Sequence, residues 1–328
     1  MKRTSRASLS LAALALLLAA CRGSDDGAAA GRLSLVAYST PKEAYEEIVP
    51  AFAKTSAGDG VTVAQSYGTS GDQARAVIAG LPADVAALSL EPDVTKLVDE
   101  KLVGEDWSAT PTQGIVTRSV VALAVRPGNP KNIRGWADLV KPGIEVLTPN
   151  PFTSGGARWN VMAAYGAQIQ QGSSEAQAVQ YLEQLFRNVV VGQVRARVVA
   201  ELHRRQGRCP DLLRERGDHR AAEGREARLR HPDETILIEN PIAATMKGGD
   251  RARAFVAFAT SPPAQRIFAE KGYRSVIEAL VDKKRYPDPP QQFDIAKFGG
   301  WPAVMKKFFV PQDSVMQRIE ESLGVSTR

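Results

Sequence analysis

The chain has 328 residues, 44% of them hydrophobic and 24% charged, with a formal net charge of +6 and two cysteines. Its length suits two lobes of roughly 100–200 residues each, and its composition excludes wholesale disorder, a collagen-like repeat and a multi-span membrane protein. Two cysteines cannot build a disulfide framework, and the charge is local: residues 192–231 hold eleven Arg, no Lys and six Asp or Glu, so a general nucleic-acid surface is poorly supported.

The first twenty residues read as an export signal. Lys2, Arg3 and Arg6 precede an apolar stretch, Leu9 to Ala20, broken only by Ser10. That stretch suits a secretory signal and is well short of the roughly 20 residues a membrane-spanning helix needs. Leu18-Ala19-Ala20-Cys21 resembles a bacterial lipobox, in which Cys21 becomes the lipid-bearing first residue. Residues 21–32 then form a flexible tether. The expectation is a soluble domain anchored to a membrane surface by its lipid and not spanning it. The other reading is a plain cleaved signal with an incidental Cys21.

Strands and helices then alternate. Leu33–Ala37 is a short apolar strand closed by Tyr38-Ser39-Thr40, and Pro41 stands where a first helical turn begins. A helix follows through Tyr45, Ile48 and Phe52. Val61–Gln65 is a second strand, leading through Gly68-Thr69-Ser70-Gly71 into a helix with Ala74, Val77 and Ile78. Asp84–Leu90 is a third strand and Pro92–Lys101 a third helix. This order indicates an α/β domain with a mostly parallel sheet. Ser119–Val125 is a long β-rich run closed by Pro127-Gly128-Asn129-Pro130, a candidate crossing into a second lobe.

Ile144–Leu147 begins the next strand-turn-helix unit, whose turn ends in Ser154-Gly155-Gly156 before a helix with Trp159, Met162 and Tyr165. A helix at Glu175–Arg187 and a strand at Val189–Val191 come next. Thr235–Glu239 returns toward the first lobe, followed by helices near Ala252–Thr260, Pro263–Lys271 and Pro302–Phe309. The expected division is 33–126 with 240–328 as the first lobe, including the C-terminal helices, and 127–239 as the second. Two crossings between α/β lobes make a hinged clamp with a ligand cleft between them.

Three turns carry the candidate chemistry: Tyr38-Ser39-Thr40, Thr69-Ser70-Gly71 and Ser154-Gly155-Gly156. Each is a strand end and a small-residue turn before a helix. A helix start offers unsatisfied N–H groups and the positive end of the helix dipole, and small residues let a ligand reach the backbone. Any one of them is ordinarily only an N-cap. Three converging on one cleft hold an oxyanion without formal positive charge.

The sequence resembles the sulfate- and thiosulfate-binding proteins of bacterial ABC importers. The resemblance rests on residues 65–73 (Gln-Ser-Tyr-Gly-Thr-Ser-Gly-Asp-Gln), 125–131 (Val-Arg-Pro-Gly-Asn-Pro-Lys), Thr148-Pro149-Asn150-Pro151, 154–160 (Ser-Gly-Gly-Ala-Arg-Trp-Asn) and Gly299-Gly300-Trp301. It covers about 33–190 and 232–310. It implies a two-lobed periplasmic-binding-protein type II fold and no enzymatic chemistry or cofactor. It also implies a monomer outside the cytoplasm that delivers its anion to membrane permease subunits. Carried over by position, the anion ligands are the N–H groups of Ser39 and Ser70, the hydroxyl and N–H of Ser154, and the N–H groups of Gly155 and Gly156. Ser39 stands where some relatives have an acidic residue. Sulfate carries no proton at neutral pH and suits an all-donor pocket. A phosphate hydroxyl would find no acceptor there, at a cost of roughly 1–3 kcal/mol. Sulfate and thiosulfate are not separated by this argument, and molybdate only weakly.

Residues 192–231 do not fit this pattern. They hold all three His (His203, His219, His231) and Cys209, with no aromatic residue and no readable strand-helix alternation. An Arg-rich solvated helix, a nucleic-acid or lipid patch and a Cys/His metal site are the plain readings, and the last matches no compact zinc spacing. The favoured reading is translation out of frame. Codons exist for Gln206–Arg220 that, shifted by one base, spell lysine-glycine-aspartate-alanine-arginine-isoleucine-serine-tyrosine-glutamate-asparagine-glutamate-alanine, which suits the family at this place. The family pattern resumes at Pro232. The resemblance implies that this stretch supplies a far-lobe helix start and an aromatic donor, so the chain as written is expected to bind weakly or not at all. An enzyme is disfavoured, since Gly68-Thr69-Ser70-Gly71 lacks the Gly-x-Ser-x-Gly spacing and no His outside 192–231 offers a base. A receptor for phosphate, molybdate or a polyamine is the other alternative.

Overall fold

The structure is a computed structural model that describes residues 31–190, 212–215, 228–284 and 286–324. The export signal, Cys21, most of the tether and most of 192–231 lie outside the described residues. No described helix is long and apolar enough to cross a membrane.

The first sheet grows from parallel strands β1 (Arg32–Tyr38), β2 (Thr62–Gly68) and β3 (Val85–Ala87), with β1 in the middle. The connections α1 (Lys42–Phe52) and α2 (Ser70–Ile78) cross over between them, and α3 (Glu91–Asp99) follows β3. Helix α1 buries Ala44, Tyr45, Ile48 and Phe52 along one stripe, the spacing of an amphipathic helix lying on a sheet. Phe52 meets Phe255 edge-on at 5.1 Å and Tyr45 meets Phe268 at 5.5 Å. These rings belong to α6 (Gly249–Ala259) and α7 (Pro262–Glu270), which share this side of the sheet. On its other side α2 and α3 bury Ala74, Val77, Val94 and Leu97 against Val36 and Ala86.

The run expected at Ser119–Val125 is two strands, β4 (Ile115–Val120) and β5 (Ala122–Val125), parted at Val121 because they join different sheets. β4 pairs with the long strand β9 (Glu234–Ala244), whose far end closes onto β3. β5 belongs to a second sheet with the order β6 (Val146–Leu147), β7 (Leu212–Glu215), β5, β8 (Arg228–Arg230). Helices α4 (Gly155–Gln170) and α5 (Glu175–Arg187) cover it. Ser174 caps α5 reciprocally with Gln177.

Two expectations are corrected here. The sequence of 192–231 shows no readable strand-helix alternation, yet Leu212–Glu215 fills the place between β5 and β6, bonded to both. Strand pairing uses backbone groups that every non-proline residue carries, so the partner of an exposed ladder need not have a strand-like sequence. The C-terminal helices were assigned to the first lobe by chain order. Instead Trp301, Val304, Phe308, Phe309, Val315 and Met316 share a core with Val125, Trp159, Tyr165 and Leu182 on the second sheet's side. Trp301 of α8 (Gly300–Val304) meets Trp159 edge-on at 4.6 Å. Their apolar faces decide the side on which they pack, and α9 (Val315–Ser322) follows them with Val315, Met316 and Ile319 buried.

Candidate anion-binding site

The parallel strands β1, β2 and β3 end along one edge of the first sheet, with Tyr38 beside Gly68 and Ala37 beside Ala87. Ligands of open parallel sheets gather outside such carboxyl ends. At the end of β2, Thr69 is extended (φ −71°, ψ 147°) and α2 begins at Ser70. The first N–H of α2 with a helical acceptor is that of Gln73, 2.9 Å from the Thr69 carbonyl. The N–H groups of Ser70, Gly71 and Asp72 precede it and have no carbonyl behind them to bond. Ser154 is the extended N-cap of α4 (φ −108°, ψ 121°), and its hydroxyl oxygen accepts from the Ala157 N–H at 3.3 Å. The N–H groups of Gly155 and Gly156 are the corresponding free donors.

The two helix starts abut. A Cβ placed on Gly71 would stand 3.0 Å from the Thr153 carbonyl oxygen. One placed on Gly155 would stand 2.6 Å from Leu90 Cδ2 and 2.8 Å from Ser89 Cβ. Glycine at 155 is therefore required by its packing against Ser89 and Leu90.

Ser39 lies beside them but is differently used. Its N–H donates to the Gly68 carbonyl at 2.9 Å and its hydroxyl to the same oxygen at 3.0 Å. The Ser154 N–H likewise donates to the Asn150 carbonyl at 2.9 Å. In this geometry both N–H groups close turns and are not directed at an anion, because each strand end must satisfy its own backbone first. What Ser154 retains is its hydroxyl hydrogen.

A buried polar scaffold fixes the α2 start, and the sequence reading missed it. The Ser70 hydroxyl donates to Asp93 Oδ2 at 2.7 Å and accepts the Ser89 N–H at 2.9 Å. Asp93 is fully buried, lies 2.9 Å from Lys96 Nζ and faces the Arg158 guanidinium at 3.6 Å. Burial pulls the Arg158 pKa down and Asp93 opposes that pull. Arg158 also donates from Nε to the Pro151 carbonyl at 2.8 Å and from Nη2 to the Phe152 carbonyl at 3.3 Å, tacking down the loop before α4. The Ser89 carbonyl accepts both Trp159 Nε1–H and Asn240 Nδ2–H at 2.9 Å. Of these residues, Arg158 and Trp159 were visible only inside the Ser-Gly-Gly-Ala-Arg-Trp-Asn motif. Asp93, Ser89 and Asn240 left no sequence signal.

The mouth of the site thus presents backbone N–H groups and hydroxyls. Arg75 beside Gly71 is paired with Asp72. Among the described residues no group of three or more His, Cys, Asp or Glu is placed to hold a metal ion.

Residues 33–274 match the family of bacterial extracellular solute-binding proteins. The chain belongs to that family. This solute-binding protein is 38% identical to the sulfate-binding protein of Synechococcus elongatus, across 93% of its own length and 94% of that relative's. It is 33% identical to the thiosulfate-binding protein of Escherichia coli K12, across 83% and 86%. Among solved structures it superposes on the sulfate-binding protein SubI from Mycobacterium tuberculosis H37Rv with a TM-score of 0.75 and 36% identity, covering 85% of this chain and all of that one. The architecture is the two-lobed periplasmic-binding-protein fold. The family acts outside the cytoplasm, and its members here are binding proteins, not enzymes.

Proposed function

We propose that this solute-binding protein captures sulfate or thiosulfate between the starts of α2 and α4 and presents it to the permease of an ABC importer. The observation that carries the reading is the meeting of Gly71 with Thr153 and of Gly155 with Ser89 and Leu90. It gathers the free N–H groups of Ser70, Gly71, Gly155 and Gly156 at the carboxyl edge of a parallel sheet. The sulfate- and thiosulfate-binding relatives support the same ligand class. A lining rich in N–H and hydroxyl donors favours a fully deprotonated tetrahedral dianion over a protonated oxyanion. Closure of the halves around the ion is a population shift driven by the ligand's preference for the closed form, and the closed form is what the permease reads. Cys21 holds the protein at the membrane surface by its lipid.

Magnitudes show what the described residues supply. The four backbone N–H donors, before the Ser154 hydroxyl adds its own bond, contribute about 1.5–3 kcal/mol each, and association costs roughly 4 kcal/mol or more. The remainder corresponds at best to roughly micromolar affinity. Tight binding calls for further donors. The resemblance places those in 192–231, and the reading-frame interpretation of that stretch makes the chain as written the weaker binder.

The test is a thermal-shift and calorimetric titration of the purified chain with sulfate, thiosulfate, phosphate and molybdate, beside a version with residues 192–231 restored to the shifted frame. Sulfate or thiosulfate should stabilise most, and the restored chain should respond more strongly. Greater stabilisation by phosphate would overturn the ligand assignment. Codons for 192–231 that do not yield the family residues in a shifted frame would end the frame interpretation.

A further inference from the structure

The starts of α2 and α4 are joined by a chain of hydrogen bonds that touches no ligand. It runs from the Ser70 hydroxyl oxygen to the Ser89 N–H at 2.9 Å, across the Ser89 backbone to its carbonyl in the next peptide group, and from there to the indole N–H of Trp159 at 2.9 Å. Ser89 and Trp159 are each 1% exposed. Trp159 stands four residues after Gly155, one helical turn on and on the same face. Holding its indole therefore holds the first turn of α4. Asn240 secures the same carbonyl from the long strand β9, while its Oδ1 accepts the Thr117 hydroxyl of β4 at 3.1 Å. The Ser89 peptide is thus pinned to both crossing strands and to both donor turns.

We propose that Trp159 is a positioning residue for the anion: its indole N–H, bonded to the Ser89 carbonyl, sets the Gly155 and Gly156 donors in register with those of Ser70 and Gly71. The proposal deepens the anion-receptor reading and rests on it. The bond is intramolecular and polar, whereas the ring itself is held by the edge-on contact with Trp301 at 4.6 Å. Removing the N–H while keeping an aromatic ring therefore separates positioning from packing. The Ser89 carbonyl would still be satisfied by Asn240, so the lost bond itself costs the ligand-free fold little.

The experiment is sulfate calorimetry and thermal unfolding of the full chain as wild type, Trp159→Phe, Ser70→Ala and the double variant. Trp159→Phe should raise the sulfate Kd about tenfold, the fold-change of one hydrogen bond. The ligand-free midpoint should fall by a few degrees, because the smaller ring leaves a cavity in the packed core, and the rise in Kd should exceed what that fall accounts for. The effects of the two substitutions on Kd should be less than additive, because each breaks the same connection. A Kd within about twofold of wild type, strictly additive effects, or a loss of binding that only tracks a falling ligand-free midpoint would each overturn the proposal. Wild-type protein that ignores sulfate is the outcome the out-of-frame reading of 192–231 allows for the chain as written. The connection is then judged by hydrogen exchange at the nitrogen-15-labelled indole. Slow exchange in wild type that speeds up in Ser70→Ala supports it, and exchange indifferent to Ser70→Ala refutes it.

Discussion

The starts of α2 and α4 look alike in sequence, each a serine and a glycine before a helix, but their serines do different work. Ser70 is 2% exposed and its hydroxyl is fully committed, donating to Asp93 and accepting from Ser89. Ser154 is half-buried, its oxygen caps Ala157 and its hydroxyl hydrogen is left over. The first serine's hydroxyl is framework, while the second keeps its hydroxyl hydrogen uncommitted. Burial, not residue type, sets the division of labour. A hydroxyl sealed beside a carboxylate cannot turn toward a ligand without stripping that buried carboxylate of a hydrogen bond.

The sharpest way to break that contrast is Asp93→Ala. It strands the nearly buried Arg158 guanidinium and removes the acceptor of Ser70. Loss of one partner of a buried ion pair costs about 3–5 kcal/mol, so chemical denaturation without ligand should show a drop of that order. A drop under about 1 kcal/mol would show that α2 is anchored some other way. Gly155→Ala comes next. Its methyl would press on Ser89 and Leu90, and overpacking costs about 1–3 kcal/mol. Calorimetry should find sulfate binding abolished, because the halves no longer meet. Ser154→Ala removes one cap, worth about 1 kcal/mol, and should weaken sulfate binding about tenfold at nearly constant fold stability, the reverse of a framework serine. The smallest effect belongs to Ser39→Ala. Its side chain is exposed and its N–H already closes on Gly68, so stability should stay within about 0.5 kcal/mol and affinity within about twofold. A large loss of affinity there would return the Ser39 turn to the set of direct ligands.

Local pattern was enough to read the first sheet. Strands beginning at Leu33, Val61 and Asp84, each followed by a helix, are signals carried by neighbours in the chain. The two helix starts were legible for the same reason. What escaped is long-range. Asn240 reaches Ser89 across 151 positions and Trp159 reaches it across 70, and no periodicity encodes such pairs. The placement of the C-terminal helices failed similarly: chain order suggested the first lobe, whereas Trp301 and Phe308 pack with Trp159 and Tyr165. Helix α4 buries residues all round, from Ala157 through Ala167, so it has no polar face to say which neighbour lies where. The strand at Leu212–Glu215 was invisible because its composition is that of a charged loop. Its place is set by the ladders on either side of it.

Strand β9 runs unbroken from Glu234 to Ala244, with β10 (Gln291–Phe293) alongside its first residues, β4 along its middle and β3 at its end. Any separation of the starts of α2 and α4 must therefore be absorbed as torsion along a continuous ribbon and not by swinging about a slack joint. Such a ribbon stores work when twisted and returns it on release, so the resting shape of the receptor depends on the stiffness of a few paired residues around Glu239 and Asn240.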